Sequence, residues 1–401
     1  MKIVTFGCRL NAYESEKIKE RLKEKTNDNN LIIFNSCAVT SEAERQLRQS
    51  IRKAKKENPN SKIVVTGCAA QLNPELYKNM PEVDIVLGNK EKMNLANYID
   101  SKEDLSETTP FLISDFDNKA RAFIQIQNGC DNKCTFCVTR LARGSSVSIP
   151  SNTIISQVKK LVDNGFNEIV LTGINISDYG KGINEDLNLG KLIKKILKET
   201  KLPRLRLSSI DISDVNSDLE EVIKNEPRLM PHLHLSLQSG DDTILKRMMR
   251  RHNRKQAIDF CQRISKLRKN ITFGADFITG FPTETNEMHQ NTLELTKETN
   301  IVFGHIFPYS ERPETPAAKM KQIEKQIRKQ RAKELRDFTN NQLQEFQKKF
   351  IKTKQSVLIE NSQTGRMENY IAVKLNKNYT EHSGKIINID IKNQITNILS
   401  E

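Results

Sequence analysis

Short apolar runs alternate with longer mixed stretches at the start of the chain. Lys2–Phe6, Leu31–Asn35, Lys62–Thr66 and Val83–Leu87 are apolar on both faces, as buried parallel strands are. Helical stretches lie between them: Asn11–Lys25, Ser41–Glu57 and a short one near Pro74. Parallel strands need crossover helices, so the pattern predicts an amino-terminal open parallel α/β domain spanning 1–104.

The polar segment Ser101–Thr109 reads as a linker. A second alternating series follows, with strands expected at Ala122–Gln127, Glu168–Thr172, Arg204–Ser209, His232–Ser236, Thr272–Ile278 and Ile301–Phe307. Helices are expected between them, among others at Thr153–Val162, Leu189–Leu197 and Arg254–Leu267. Six strand–helix units predict a central partial (β/α)6 barrel over 116–345, short of the eight units of a closed barrel. Met320, Ile323, Ile327, Leu335, Phe338, Leu343, Phe346 and Phe350 then recur at helical intervals, which predicts one or two amphipathic helices. From Lys319 to Lys354 there are 12 basic and 4 acidic residues, so the opposite face is strongly positive. Ser356–Ile359, Tyr370–Leu375, Lys385–Ile391 and Ile395–Leu399 predict a small carboxy-terminal all-β domain over 350–401, in the form of a β-barrel.

Charge and cysteine content narrow the function. The 401 residues carry a formal net charge of +14, which favours a polyanionic partner such as nucleic acid. No apolar run approaches the roughly 20 residues that a bilayer requires, and no signal peptide is evident, so no membrane partner and a cytoplasmic location are expected. The cytosol keeps thiols reduced, and clustered cysteines there are more often metal ligands or catalysts than disulfides. This chain has seven.

Cys130, Cys134 and Cys137 follow a predicted strand in a C-x3-C-x2-C pattern. Three thiolates on one tight loop can hold three irons of a [4Fe–4S] cube and leave the fourth open to a ligand. Gly129 lets the backbone wrap closely. Zinc is the alternative, but structural zinc takes four ligands, and the closest histidine in sequence is His232. Cys8, Cys37 and Cys68 are far apart in sequence, yet each is expected two residues past the end of a predicted strand. The carboxyl ends of an open parallel sheet form its binding crevice, so these thiols are expected to converge on a second cluster. Cys261 falls within a helical run and reads as a buried small side chain.

The C-x3-C-x2-C triplet, with Phe136 before its last cysteine, resembles the radical S-adenosylmethionine superfamily. Two three-cysteine sets in this order resemble its methylthiotransferase family over nearly the whole chain. Thr5–Asn11, Asn35–Thr40 and Thr66–Gln71 are similar to that family's amino-terminal motifs. Leu171–Gly180, Leu207–Asp211, His234–Gly240, Gly274–Glu284 and Phe307–Ala317 resemble the subfamily that acts on threonylcarbamoyladenosine in tRNA. After Cys137 the chain departs from the usual pattern, with Val138-Thr139-Arg140-Leu141 ahead of Ala142-Arg143-Gly144.

The resemblance implies two [4Fe–4S] clusters, one on Cys130, Cys134 and Cys137 and one on Cys8, Cys37 and Cys68. It implies S-adenosylmethionine as cofactor, a 5′-deoxyadenosyl radical, and delivery of a methylthio group to carbon 2 of an adenine. It further implies a tRNA anticodon loop as partner, an electron donor such as flavodoxin or ferredoxin, and a carboxy-terminal TRAM-like domain. Gly173, Asn175, Ser209, Gln238 and Asp276, expected at strand ends, are the candidates for binding S-adenosylmethionine. Gly173 and Gly280 are expected where backbone approaches the cofactor. Arg140, Arg143 and Arg312 are candidates for the carboxylate of the modified base. Two alternatives belong to the same family, one acting on isopentenyladenosine in tRNA and one on a ribosomal-protein aspartate. A third is a non-enzymatic iron–sulfur protein that binds RNA.

Overall fold

The computed structural model describes residues 1–26, 29–99, 105–106, 110–117, 119–375 and 378–392. Most of the expected linker Ser101–Thr109 and the expected strand Ile395–Leu399 lie outside these residues.

The first sheet is parallel, in the order β1 (Lys2–Thr5), β2 (Leu31–Ser36), β3 (Lys62–Gly67) and β4 (Ile85–Val86). Its helices are α1 (Arg9–Lys23), α2 (Ser41–Glu57), α3 (Cys68–Leu72) and α4 (Pro74–Lys78). Every residue of β2 is buried, because helices cover both faces of a crossover sheet. Thr40 starts α2 by accepting the Ala43 N–H at 3.1 Å, and Glu42 and Glu44 suit the positive end of the helix.

The central part carries six strands in two parallel sheets. One is ordered β5 (Ala122–Gln125), β8 (Glu168–Thr172), β9 (Arg204–Leu207); the other is β10 (His232–Gln238), β11 (Thr272–Thr279), β12 (Ile301–Pro308). A parallel bridge from Ile210 to Leu235 joins them. Two short strands, β6 (Gln127–Asn128) and β7 (Val147–Ser148), pair antiparallel around the cysteine-triplet loop. The helices are α5 (Thr139–Arg143), α6 (Ser151–Asp163), α7 (Leu189–Glu199), α8 (Ser217–Asn225), α9 (Asp242–Arg247), α10 (Arg254–Leu267) and α11 (Asn286–Glu298). One large apolar core fills the space between them and the strands, and Cys261 is buried in it.

The periodic stretch after residue 320 forms one helix, α12 (Lys325–Gln347). Met320 and Ile323 precede it, on the approach to the helix. Two of its cations turn inward: Arg331 pairs with Glu284 at 2.7 Å, and Arg328 donates to Tyr309 O at 3.1 Å. The tail forms an antiparallel sheet in the order β15 (Ala372–Lys374), β14 (Thr364–Met367), β13 (Lys354–Ile359), β16 (Ile386–Asp390). Among the described residues this sheet is open, where the sequence pattern leads one to expect a barrel. β14, Thr-Gly-Arg-Met, has no strand-like pattern of its own and exists because it pairs with both β13 and β15. Val302, Phe303, Leu343 and Phe346 share a core with Val357, Met367 and Val373, which seats this sheet on β12 and α12.

Candidate active site

Parallel order in the first sheet brings Cys8, Cys37 and Cys68 together from three loops at its carboxyl edge. They lie three, one and one residues beyond β1, β2 and β3, rather than two each, because the strand ends are ragged. A Cβ on Gly7, whose φ is +91°, would stand 2.7 Å from Cys37 Sγ, so this approach requires glycine. Burial pushes the Cys37 thiol up to about 11, and the nearby Cys8 and Cys68 add to the rise. The Val39 N–H points at Cys37 Sγ at 3.5 Å, and Asn89 Nδ2 at Cys68 Sγ at 3.8 Å.

Cys130, Cys134 and Cys137 share the loop between β6 and α5. Burial pushes Cys130 up to about 11, with Cys137 and Cys134 contributing. The Thr139 N–H lies 3.4 Å from Cys137 Sγ, and Arg250 Nη1 lies 3.6 Å from Cys134 Sγ. Gly129 has φ +71°, and a Cβ there would fall 1.9 Å from Ser145 O. Thr135 ties the loop to the end of α9 through its N–H to Met248 O at 3.2 Å and its hydroxyl to Arg247 O at 2.8 Å.

The donor sets suit clusters better than single ions. Zinc at about 2.3 Å from each sulfur would hold the sulfurs within about 4 Å of one another. Among the described residues no three cysteines gather their sulfurs within 4.8 Å; the one such group is His234, Asp276 and His305. Thiols whose pKa is raised by burial become thiolates against a strong local cation, and N–H groups aimed at sulfur stabilise that charge.

Arg143 connects the two sites. Both of its Nη atoms hold Glu14, at 2.8 and 2.9 Å, and Nη2 also donates to Asn11 Oδ1 at 2.6 Å. Asn11 and Glu14 lie on α1 just after Cys8, while Arg143 lies just after Cys137. Lys92 Nζ completes the buried group, 2.6 Å from Glu14 Oε2. Asn89 adds a second link through its hydrogen bond to Ala142 O at 2.8 Å. Arg312, also past a strand end, pairs with Glu44 at 3.1 Å and donates to Ala38 O. Arg143 and Arg312 therefore brace the domains, and Arg140 is exposed.

The remaining candidates divide. Gly173 follows β8, Ser209 follows β9, and Gln238 ends β10 at φ +70°. Asn175 is buried, and its Nδ2 has no protein partner, as expected of a donor waiting for a ligand. Asp276 is not at a strand end. It sits within β11, with His234 Nε2 at 3.1 Å and His305 Nδ1 at 3.5 Å from its Oδ1. The space that a side chain would need at Gly173 is taken by Gln127, and at Gly280 by Arg328. Both glycines thus serve contacts within the protein.

Residues 124–296 match the radical SAM superfamily, and residues 1–88 match a family described as "Uncharacterized protein family UPF0004". The threonylcarbamoyladenosine tRNA methylthiotransferase MtaB of Rickettsia prowazekii is 52% identical over 94% of this chain and 91% of its own length. The chain belongs to the MtaB family of radical SAM methylthiotransferases. A tRNA-2-methylthio-N(6)-dimethylallyladenosine synthase of Paracoccus denitrificans is less similar, at 36% identity over 80% of this chain and 77% of its own. Among solved structures, the radical S-adenosylmethionine methyltransferase TsrM of Kitasatospora setae superimposes with a TM-score of 0.55 at 12% identity, over 76% of this chain and 68% of that one. That likeness extends to the fold alone.

Sequence reading of this methylthiotransferase passed over three residues that organise the site. Gln127 Oε1 accepts the N–H groups of Ile174 and Asn175, at 3.0 and 2.9 Å, while its Nε2 donates to Gly129 O at 2.7 Å. One side chain thus locks the cysteine-triplet loop to the end of β8. Arg250 reaches Cys134 from a distant segment, held by Asp211 at 2.9 Å and Ser236 O at 2.7 Å. Asn89 does the same for Cys68. A lone Gln, Arg or Asn outside any motif carries no pattern to single it out.

Proposed function

We propose that this chain adds a methylthio group to carbon 2 of N6-threonylcarbamoyladenosine next to the anticodon of tRNA. The observation that carries the reading is the pair of three-thiol sites joined through Arg143. Radical chemistry and sulfur delivery need two cofactor sites that face one substrate, and a buried ion pair holds these two sites together.

The cofactors are S-adenosylmethionine and two [4Fe–4S] clusters. In this reading Cys130, Cys134 and Cys137 hold one cluster, and Cys8, Cys37 and Cys68 the other. Bound there, these groups supply the one-electron chemistry and the sulfur needed to replace an unactivated aromatic C–H, which polar acid–base catalysis at neutral pH does not readily reach. The protein's part is to orient and to shield. Asn175, with its unpartnered Nδ2, and Gln238 offer hydrogen bonds to the polar groups of S-adenosylmethionine, together with Ser209 and the backbone of Gly173, whose missing side chain makes room for Gln127. Asp276 lies within β11 and contributes there through His234 and His305, which its Oδ1 faces. Arg250 and the Thr139 N–H stabilise thiolate charge on Cys134 and Cys137.

The domains of this reading are 1–104, 116–345 and 350–401, the last TRAM-like. Exposed lysines on and after α12, such as Lys325, Lys329 and Lys349, and the carboxy-terminal sheet grip tRNA phosphates in a salt-sensitive way. No helix among the described residues is long and apolar enough to cross a membrane. The reading places the enzyme in the cytoplasm, with flavodoxin or ferredoxin as electron donor.

The test is mass spectrometry of tRNA nucleosides from a deletion strain with and without this gene. Loss and restoration of the 2-methylthio derivative of threonylcarbamoyladenosine is expected, with the isopentenyl nucleoside unchanged. A response confined to the isopentenyl product overturns the substrate assignment.

A further inference from the structure

A cavity of about 550 Å³, within the rough 300–1,000 Å³ range of small-ligand pockets, opens beside Cys8, between the start of α1, strands β5, β8, β9 and β10, and the carboxy-terminal sheet. Its wall holds five basic side chains, Arg9, Lys119, Arg121, Arg206 and Arg366, against the single carboxylate of Glu360. Most of these guanidiniums are committed. Arg206 pairs at 2.8 Å with Glu168, which is buried behind the wall, and Arg366 pairs at 2.6 Å with Glu360. Arg121 is shared between the same two carboxylates.

Arg9 differs. It is half-buried, and its hydrogen bond runs from Nη2 to the Tyr370 hydroxyl at 3.2 Å. Among the described residues no carboxylate forms an ion pair with it. Tyr370 is itself surrounded by cations, with Arg366 at 4.4 Å and Arg206 at 5.2 Å from its ring, and His232 stacked on it at 4.6 Å. Burial pushes its phenol up, yet Arg9, Arg366, Arg121 and Arg206 together bring it below the usual value, so positive charge dominates the cavity. A partly desolvated guanidinium without a counter-ion is costly, and an anionic ligand removes that cost.

We propose that Arg9, seconded by the Tyr370 hydroxyl, binds the carboxylate of the threonylcarbamoyl group. This rests on the substrate reading above and assigns the residue that enforces it. Arg9 follows Cys8 directly, so a base anchored here by its side-chain carboxylate lies beside the amino-terminal thiol site. An isopentenyl group has no anion to offer, and its entry would leave Arg9 facing an apolar tail. A site built to pair a charge rejects a ligand that lacks it. Of the other arginines near the thiols, Arg143, Arg312 and Arg250 are already occupied by Glu14, Glu44 and Asp211, and Arg140 is exposed.

The test uses full-length protein with both clusters reconstituted and two anticodon stem-loop RNAs. These are identical except for threonylcarbamoyladenosine or plain adenosine at the target position, and Kd is measured at one fixed salt concentration. Wild type is expected to prefer the modified RNA by about 10–100-fold, the worth of a charge-assisted hydrogen-bond pair. Arg9→Gln is expected to bring the ratio close to one while binding of the plain RNA changes little, and Arg9→Lys to restore part of it. Tyr370→Phe, which removes one hydroxyl, is expected to lower the ratio several-fold and serves if Arg9→Gln loses its iron. Equal weakening of both RNAs in Arg9→Gln marks a phosphate contact and overturns the proposal, as does an unchanged ratio in both variants. Failure of wild type to prefer or to methylthiolate the modified RNA overturns the substrate reading instead.

Discussion

Arg143 grips both carboxylate oxygens of Glu14, at 2.8 and 2.9 Å, across the boundary between the amino-terminal sheet and the central strands. Burial alone would raise the Glu14 pKa, but Lys92 and Arg143 hold it at about 2. Removing one partner of such a buried group strands the others, at a cost of about 3–5 kcal/mol. Arg143→Ala is therefore expected to lower stability by that order in urea denaturation. Arg143→Lys is expected to recover only part, because an ammonium cannot fork onto two oxygens. An unchanged unfolding midpoint in Arg143→Ala would show that the contact is not a structural tie.

The two thiol sites make separable contributions. Anaerobic reconstitution is expected to load about eight irons, four per cube. Replacing Cys130, Cys134 and Cys137 with Ala should leave about four. Cys8→Ala should still cleave S-adenosylmethionine to 5′-deoxyadenosine but yield no methylthio product. Stoichiometric zinc without iron, or loss of 5′-deoxyadenosine in a folded Cys8→Ala protein, contradicts the division.

Arg250 places a positive charge 3.6 Å from Cys134 Sγ. A nearby cation and an N–H donor favour the more negative, reduced state of a cluster, so removing them lowers its potential. Arg250→Gln is expected to move the potential of that cluster in the negative direction, read by an EPR-monitored redox titration, and so to lower the fraction of cluster that a donor of fixed potential keeps reduced. A potential unmoved by the change would confine Arg250 to bracing Asp211.

Glu168 is fully buried among Arg121, Arg204 and Arg206. Burial works against its ionisation, but Arg206 and Arg121 bring its pKa down to about 2 from the usual 4.5 of a glutamate. A carboxyl depressed on folding stabilises the protein above its unfolded pKa, and that stability is lost as pH falls through the folded one. The contribution, about 3 kcal/mol from the shift, is thus present above pH 4.5 and fades toward pH 2. Glu168→Gln should destabilise the protein at neutral pH and flatten its acid-unfolding curve between those limits. A mutant curve parallel to wild type would remove Glu168 from the account.

The sequence by itself determined the parts whose signals are local. Apolar runs placed nearly every parallel strand, since a strand covered on both faces admits few polar residues. Cysteine spacing marked Cys130, Cys134 and Cys137, because a C-x3-C-x2-C run puts three thiols on one short loop. Cys8, Cys37 and Cys68 were legible too, because parallel strands deliver their carboxyl ends to one edge. Only the tertiary structure decided which arginines are paired with carboxylates. Arg143, Arg312 and Arg9 look alike along the chain, but Glu14 and Glu44 neutralise the first two, while Arg9 faces a phenol in a cavity rich in cations. Likewise Asp276 moved from a strand end to a place between two imidazoles, and β14 formed from residues with no strand pattern. Partnership between side chains far apart in sequence depends on packing, and nothing in local composition records it.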